Sequence, residues 1–417
     1  MAIDRKKKIE RIILPGNPYL KDPAKGLKLI ASLFGGKKLN KDRKINDALD
    51  GMIGACGRLD LAGSRDNFSR LRQILNFLQS PVRNRLLGNT AVVGFGGQFS
   101  SGKSSVLNSL LEGGARFRLP ENMSASTCIS TYMMRSPQER VVACSLDGNE
   151  IALDADGLAA ISHQFRSIYK INLAQYIDFI GIFLPQFPID GVALLDTPGY
   201  NASDVSTQQE HRDNMRSQRA LSSVDHLVWL ISAKEPLLTN TDRCFIQNLK
   251  LSGEITVIVN KCDQVPEVAM SPEPESSAPI QNIKRGFAEA EIRVSAIIPY
   301  CAREPEWHSG RVRVLRVLQQ LSEKKKSARD RESELENIIA SYEQQFEKLL
   351  QNRFISEMSE IDACIDSSQN PLELSALTQL RGMMGFERSN LQNDYKIFND
   401  GAKYLRNWLK QQKQVSL

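Results

Sequence analysis

The stretch Gly97-Gln98-Phe99-Ser100-Ser101-Gly102-Lys103-Ser104-Ser105-Val106-Leu107-Asn108 decides how this chain is read. An apolar run (Ala91, Val92, Val93) precedes it, and Val106, Leu107, Leu110 and Leu111 follow at helical spacing. A strand, a glycine-rich turn and a helix in that order bind phosphate: backbone N–H groups wrap the anion, and the helix N-terminus adds its positive dipole. Gly97, Gln98, Phe99, Ser100, Ser101 and Gly102 supply the turn. Lys103 reaches the β- and γ-phosphates, the Ser104 hydroxyl suits Mg2+, and Ser105 continues the helix.

Three further stretches follow in matching order. Leu194-Leu195-Asp196-Thr197-Pro198-Gly199 reads as a strand end whose Asp196 carboxylate holds Mg2+ through water and whose Gly199 N–H meets the γ-phosphate. Val257-Ile258-Val259-Asn260-Lys261-Cys262-Asp263 is another strand end. A carboxylate at Asp263 accepts both N–H groups of a guanine edge, where adenine presents an acceptor instead, so Asn260, Lys261 and Asp263 read guanine over adenine. Val294-Ser295-Ala296, after another short strand, suits a backbone N–H contact from Ser295 and Ala296 to the guanine O6. Together the four stretches point to GTP as the ligand, with Mg2+ beside it.

The 417 residues leave room for two to three domains. A hydrophobic content of 41% and a charged content of 24% are those of an ordinary soluble globular protein. The longest apolar candidate, Ile177 to Leu195, is interrupted by Pro185, Pro188 and Asp190 and is no membrane span. Met1 to Lys8 lacks a following signal-like apolar core, so export is not expected. Seven cysteines (56, 128, 144, 244, 262, 301, 364) are scattered without a Cys-x-x-Cys, and read as buried thiols in a reducing cytoplasm. The four histidines (163, 211, 226, 308) show no ligand spacing. Net charge is +6 but uneven: residues 1–45 hold thirteen basic against four acidic side chains, a local +9, leaving −3 elsewhere. Such an arm is drawn to anionic lipid or to nucleic acid, and suggests a cytoplasmic protein peripheral at the inner face of a membrane.

Organisation along the chain supports an α/β domain, with a mostly parallel sheet covered by helices on both faces, and an α-helical bundle built from the N- and C-terminal segments. Residues 1–43 form the basic arm. Within it Asp22-Pro23 opens a helix that ends at Phe34 before Gly35-Gly36, with Leu27, Ile30, Leu33 and Phe34 on one face. That helix reads either as a membrane-surface helix or as one packed on the rest of the protein, and the second is favoured. Residues 44–88 carry two helical patterns, through Ile45, Leu49, Met52, Ile53 and Cys56, then Leu71, Ile74, Leu75 and Leu78. The nucleotide-binding domain spans 89–321, with strands expected near 91–95, 128–135, 141–147, 178–184, 192–196, 227–232, 255–260 and 292–297. Tyr200 to Leu221 begins as a polar switch-like segment, and Val265 to Gln281, with four prolines, reads as a solvated loop. Residues 322–417 are helical. They start with a charge run (Glu323 to Lys326, Arg329 to Glu332) that reads as a solvated face. Apolar stripes follow (Ile339, Tyr342, Phe346, Leu349, Phe354, Met358; then, past Asn370-Pro371, Leu391, Tyr395, Phe398, Leu405, Trp408) that read as bundle core.

With these residues in view, the chain resembles the dynamin superfamily of GTPases, particularly the bacterial dynamin-like proteins. Gly97 to Asn108, Leu119-Pro120 followed by Thr127, and a hairpin ending in Leu194 to Gly199 carry the resemblance, which covers about residues 85–300. It implies a P-loop GTPase domain that dimerises face to face with nucleotide at the interface, hydrolysing GTP to GDP and phosphate. Ser100, Lys103 and Thr127 would be catalytic, and Ser104, Thr127 and Asp196 would hold Mg2+, coupled to assembly or remodelling at an anionic membrane. Two departures stand out: classical dynamins place a glutamine where Phe99 stands, whereas Gln98 lies one residue earlier, and Tyr200 and Asn201 follow Gly199 without a water-orienting glutamine. The 96 residues after Leu321 are short for a long stalk with a lipid-binding paddle, and show no apolar tip, which suggests a longer dynamin-like partner. Two alternatives remain: a GTP-gated interaction scaffold with little hydrolysis, and a nucleic-acid- or ribosome-associated GTPase motivated by the basic arm. Against the latter, the phosphate-binding turn lacks the Pro-Asn-Val stretch common in such enzymes and no Gly-x-x-Gly loop of a KH domain is evident, so nucleic acid is the disfavoured partner.

Overall fold

A computed structural model describes residues 17–34, 43–59, 61, 64–98, 100–113, 115, 117–119, 129–146, 149–161, 169, 171, 176–197, 208–251, 253–324 and 328–415. The chain divides into two compact units. One comprises residues 1–39 with 76–327, the other residues 40–75 with 328–417.

The first unit is built on strands β1 (Ala91–Gly97), β2 (Thr131–Arg135), β3 (Arg140–Ser145), β4 (Glu150–Leu153), β5 (Ile177–Leu184), β6 (Val192–Asp196), β7 (His226–Ser232), β8 (Ile255–Asn260) and β9 (Val294–Pro299). They form one nine-stranded sheet in the order β4-β3-β5-β2-β6-β1-β7-β8-β9. β1 pairs in parallel with β6 and β7, and β8 and β9 continue in parallel. β2 is parallel to β5 but antiparallel to β6, and β3 is antiparallel to both β4 and β5. Every residue of β1, β6 and β8 is buried, as their unbroken apolar runs require of strands covered on both faces. β4 has no counterpart in the sequence reading; it lies at the sheet edge and is only four residues long, with Glu150 and Ala152 exposed and Leu153 buried.

Residues 177–184 and 192–196 do not pair as a hairpin. β2 lies between them, with Thr131 opposite Ile180 on one side and Asp196 on the other. The connection 185–191 therefore crosses the width of a strand instead of making a tight turn. The 265–281 loop also has more order than expected: it holds the short helix Pro266–Ala269 and a helical turn at Pro274–Ser276, with Val268 and Pro274 buried.

The helix Pro23–Phe34 packs on its own unit. Leu20, Leu29 and Ile30 join the core that contains Val93, Phe95 and Leu107. Its buried face runs through Gly26, Leu29 and Ile30, while Leu27 is 56% exposed, a correction to the face read from sequence. Asn17 anchors the segment by donating from Nδ2 to the Asp156 carbonyl at 2.8 Å. Beyond the two helical patterns expected over 44–88 there is a third helix, Pro81–Leu87, capped by Ser80. Its Arg83 pairs with Asp178 of β5 at 3.1 Å.

The second unit packs helices Arg43–Gly57, Ala328–Lys348 and Pro371–Val415 with the part of Ser64–Leu78 up to Leu75. Leu49, Met52, Phe68, Leu71, Leu335, Ile339, Tyr342, Phe346, Phe398 and Leu405 are buried. Phe68 stacks on Tyr342 (centroids 5.0 Å apart), and Phe346 meets Phe398 at 5.3 Å. Arg406 forks between Glu336 and Glu343. Within the charge run, Arg329 and Asp330 are exposed but Arg331 is 1% exposed, so the run is not solvated throughout. The helix break at Asn370-Pro371 separates Glu357–Ser367 from Pro371–Val415. Past it, Leu372, Met383 and Phe386 are 83%, 60% and 70% exposed, an apolar surface the sequence reading did not find.

Candidate functional site

β6, β1, β7 and β8 run in parallel, so their carboxyl ends meet along one edge of the sheet. Phe95 is level with Asp196, Gly97 with Leu230, and Ser232 with Asn260. Ligands of open α/β sheets bind at such an edge. The sequence-read residues Gly97, Gln98, Ser100, Ser101, Gly102, Lys103, Ser104, Ser105, Asp196, Asn260, Lys261 and Asp263 all sit there, on the ends of β1, β6 and β8 and the segments that follow them.

The turn after β1 is held by its own backbone. The Gln98 carbonyl accepts from the Ser101 N–H at 3.2 Å and the Ser101 hydroxyl at 2.9 Å. Ser100 and Gly102 have positive φ (64° and 90°). At Gly102 a Cβ would stand 2.3 Å from Asn260 Nδ2, so glycine is required both by conformation and by close approach. The helix Lys103–Leu110 starts at the next residue, with Gly102 as an N-cap that has no side chain to cap it. Lys103 is buried, and its Nζ donates to the Gly97 carbonyl at 2.9 Å and the Gln98 carbonyl at 3.0 Å. Burial pulls its ammonium down to about 8, against the opposing pull of Asp196.

On the metal side, the Ser104 hydroxyl donates to Asp196 Oδ2 at 2.9 Å. A hydroxyl and a carboxylate in contact, both hard oxygen donors, fit Mg2+ that takes its remaining ligands from phosphate and water. Asp196 is fully buried, and the Thr197 hydroxyl beside it donates to the Phe95 carbonyl at 3.0 Å, tying β6 to β1. Thr131 stands opposite Asp196 in β2, but its hydroxyl donates to the Ile129 carbonyl at 3.2 Å. Phe99, Thr127, Gly199, Tyr200 and Asn201 lie outside the described residues.

On the base side, Asn260 works as a strut. Its Nδ2 donates to the Ser101 carbonyl at 3.0 Å, and its Oδ1 accepts from the Ala302 N–H at 3.2 Å. Lys261, in left-handed backbone (φ 65°), donates from Nζ to the Ser100 carbonyl at 2.6 Å. Burial, with Lys234 nearby, holds this ammonium below its usual range.

Ser295 and Ala296 are not part of this assembly. They lie at the start of β9, paired with the start of β8 around Ile255 and Thr256, whereas Asn260 is at the far end. Ser295 instead donates to the Ile255 carbonyl at 3.1 Å and shares a hydrogen bond with Thr256 Oγ1, which meets His226 Nε2 at 2.9 Å. The segment that does reach the base side follows the end of β9. The Tyr300 carbonyl accepts from the Cys262 N–H at 3.2 Å, and the Ala302 N–H donates to Asn260 Oδ1 at 3.2 Å. The sequence offered only a weak signal there, because any short strand after the Asn-Lys-x-Asp stretch had to deliver its carboxyl end to the same edge.

The main chain of Gln98 lies in the turn, as expected, but its side chain leaves it. Its amide does not face the phosphate turn: Nε2 donates to Asp242 Oδ2 at 2.9 Å and to Thr239 Oγ1 at 3.3 Å, at the cap of the helix Asn240–Leu249. Burial pushes the Asp242 carboxyl up to about 6.

Residues 93–263 match the model of the dynamin family. Among curated proteins, the chain is 26% identical over 178 residues to a "Dynamin-like protein 2" of Campylobacter jejuni, an alignment covering 42% of this chain and 26% of that relative's length. Among solved structures, it is similar to an oligomerised bacterial dynamin pair described as sensing and tethering membranes, at 20% identity and a TM-score of 0.43, covering 69% of this chain and 44% of the other. It is also similar to Aquifex aeolicus Era bound to GDP and AlF4-, at 16% identity and a TM-score of 0.33, covering 56% and 57%. No helix among the described residues is long and apolar enough to cross a membrane.

Proposed function

We propose that this chain, whose residues 93–263 are those of a dynamin-superfamily GTPase, hydrolyses GTP to GDP and phosphate when two of its nucleotide-binding domains pair, and couples that cycle to assembly at an anionic membrane. One observation carries the reading: Lys103, Ser104, Asp196 and Asn260 converge on one edge of the sheet around a turn closed by its own carbonyls. The Lys103 ammonium rests on the Gly97 and Gln98 carbonyls at the turn, where a bound phosphate would offer it a charged partner. The N–H groups opening the Lys103–Leu110 helix receive the phosphate oxygens. Ser104 and Asp196 hold Mg2+, which when bound neutralises charge on the phosphates. Asn260 braces the turn, and Asp263 accepts the guanine N–H groups. Ser100 and Thr127 act at the transferred phosphate. The basic arm, +9 over residues 1–45, supplies the attraction to anionic lipid.

The test is GTP turnover per molecule across a range of protein concentrations, with and without anionic liposomes. A specific rate that climbs with concentration, and further with lipid, is the expected result. A flat, slow rate refutes the paired mechanism. It would favour a GTP-gated scaffold, a second reading supported by the engagement of the Gln98 amide away from the phosphate turn.

A further inference from the structure

We infer that Gln98 is a positioning residue: its side-chain amide fastens the phosphate-binding turn to the start of the Asn240–Leu249 helix, and this fastening sets nucleotide affinity. The inference rests on the nucleotide reading above and adds to it a dependence on a helix distant in sequence.

Two ends of one residue do different work here. The main-chain carbonyl of Gln98 is the hub of the turn, accepting from the Ser101 N–H, the Ser101 hydroxyl and Lys103 Nζ at 3.2, 2.9 and 3.0 Å. The side chain leaves in another direction and donates to Asp242 Oδ2 and Thr239 Oγ1. Those acceptors are themselves rigid. Asp242 is 2% exposed, and its Oδ2 also accepts from the Thr239 N–H at 3.0 Å and the Thr239 hydroxyl at 2.7 Å. The Asp242 N–H returns a bond to Thr239 Oγ1 at 3.1 Å, completing a reciprocal helix cap. A glutamine free in solvent would leave the carbonyl of a turn with two positive-φ residues to be held by the turn alone. Bonded to a buried carboxylate, it is located from outside, and so is the carbonyl on which Lys103 rests. Hydrogen bonds to an ionised acceptor are the strong kind, and a preorganised loop binds with less ordering cost.

Fluorescent GDP and GTP analogues are titrated into wild type and three variants of the full chain, each also melted to verify folding. Gln98→Met keeps the main-chain carbonyl and the side-chain length but removes the amide. Affinity for the diphosphate and triphosphate should fall together by about tenfold, since the turn and Lys103 serve both. Gln98→Glu sets two carboxylates against each other and should bind more weakly still. Adding Asp242→Asn to Gln98→Glu removes the repulsion, since the Asn Oδ1 can keep the Thr239 bonds while its Nδ2 donates to Glu, and should restore most of the affinity, which a general loss of stability would not do. Gln98→Met binding within twofold of wild type, or a double variant no better than Gln98→Glu, overturns the inference while leaving the nucleotide site intact. A wild type that binds neither nucleotide overturns the underlying reading and this inference with it.

Discussion

Lys103 should take up a proton when nucleotide binds. The residue is 7% exposed and its ammonium rests on two neutral carbonyls, so burial brings it from 10.5 down to about 8. The folded value lies below the unfolded one. Between about pH 8 and 10.5 the unfolded chain holds the proton that the folded chain has released, so the stability of the nucleotide-free protein rises with pH across that window. At neutral pH the retained charge costs on the order of 3 kcal/mol, from the difference of about 2.5 units at 1.36 kcal/mol each. Phosphate oxygens offset that cost, returning Lys103 to full protonation in the complex. At pH 8.5 about three quarters of the free protein lacks the proton, so binding takes up about 0.75 proton, against about 0.1 at pH 7.0. Apparent affinity should then fall about fourfold between these values, roughly 0.8 kcal/mol. Titration calorimetry with GDP at each pH, in two buffers of different ionisation enthalpy, reads the proton count directly. Uptake below about 0.2 proton at pH 8.5, with affinity unchanged from pH 7.0, would refute the assignment of this lysine to the phosphate.

Other perturbations test separate parts of the molecule. Asp263→Asn replaces an acceptor of the guanine N–H groups with a group that also donates, so GTP affinity should drop at least tenfold while xanthosine triphosphate, with an oxygen at that edge, gains; competition binding checks both. Gly102→Ala forces a Cβ to 2.3 Å from Asn260 Nδ2 at φ 90°, and should abolish measurable nucleotide binding in the same titration while the melting temperature shows a folded protein. In the helical unit, Gly401→Val meets the Met52 side chain at 2.7 Å and the Ala48 carbonyl at 2.9 Å, prising apart two helices; urea unfolding should register a loss of about 2–3 kcal/mol. Phe398→Ala empties a fully buried site beside Tyr342 and Phe346, with an expected cost of about 3–5 kcal/mol in the same assay.

Sequence by itself determined the parts of the protein whose chemistry is local. Gly97 to Ser104 is contiguous, and strand, turn and helix follow from an apolar run, two glycines and helical spacing within a dozen residues. Asp196 and Asn260 were legible for the same reason, each the last residue of an apolar strand, with Asp263 in the turn that follows the second. So were the bundle stripes through Tyr342 and Phe398, since a helix repeats its buried face every three or four residues. Tertiary structure decided whatever depends on register between distant segments. That β2 separates β5 from β6 is a matter of pairing, which the two strands' own residues do not encode as a turn. Ser295 and Ala296 carry a plausible short motif but sit at the wrong end of β9. Only the pairing of Val259 with Pro299 shows that Cys301 and Ala302 arrive beside Asn260. The contact between Gln98 and Asp242 spans 144 residues, so no local pattern announces it. Arg331, buried within a run of charges, makes the same point. Periodicity says which face of an element is apolar, but which polar groups meet across the fold is set by packing, where each buried donor or acceptor must find a partner brought to it by the rest of the chain.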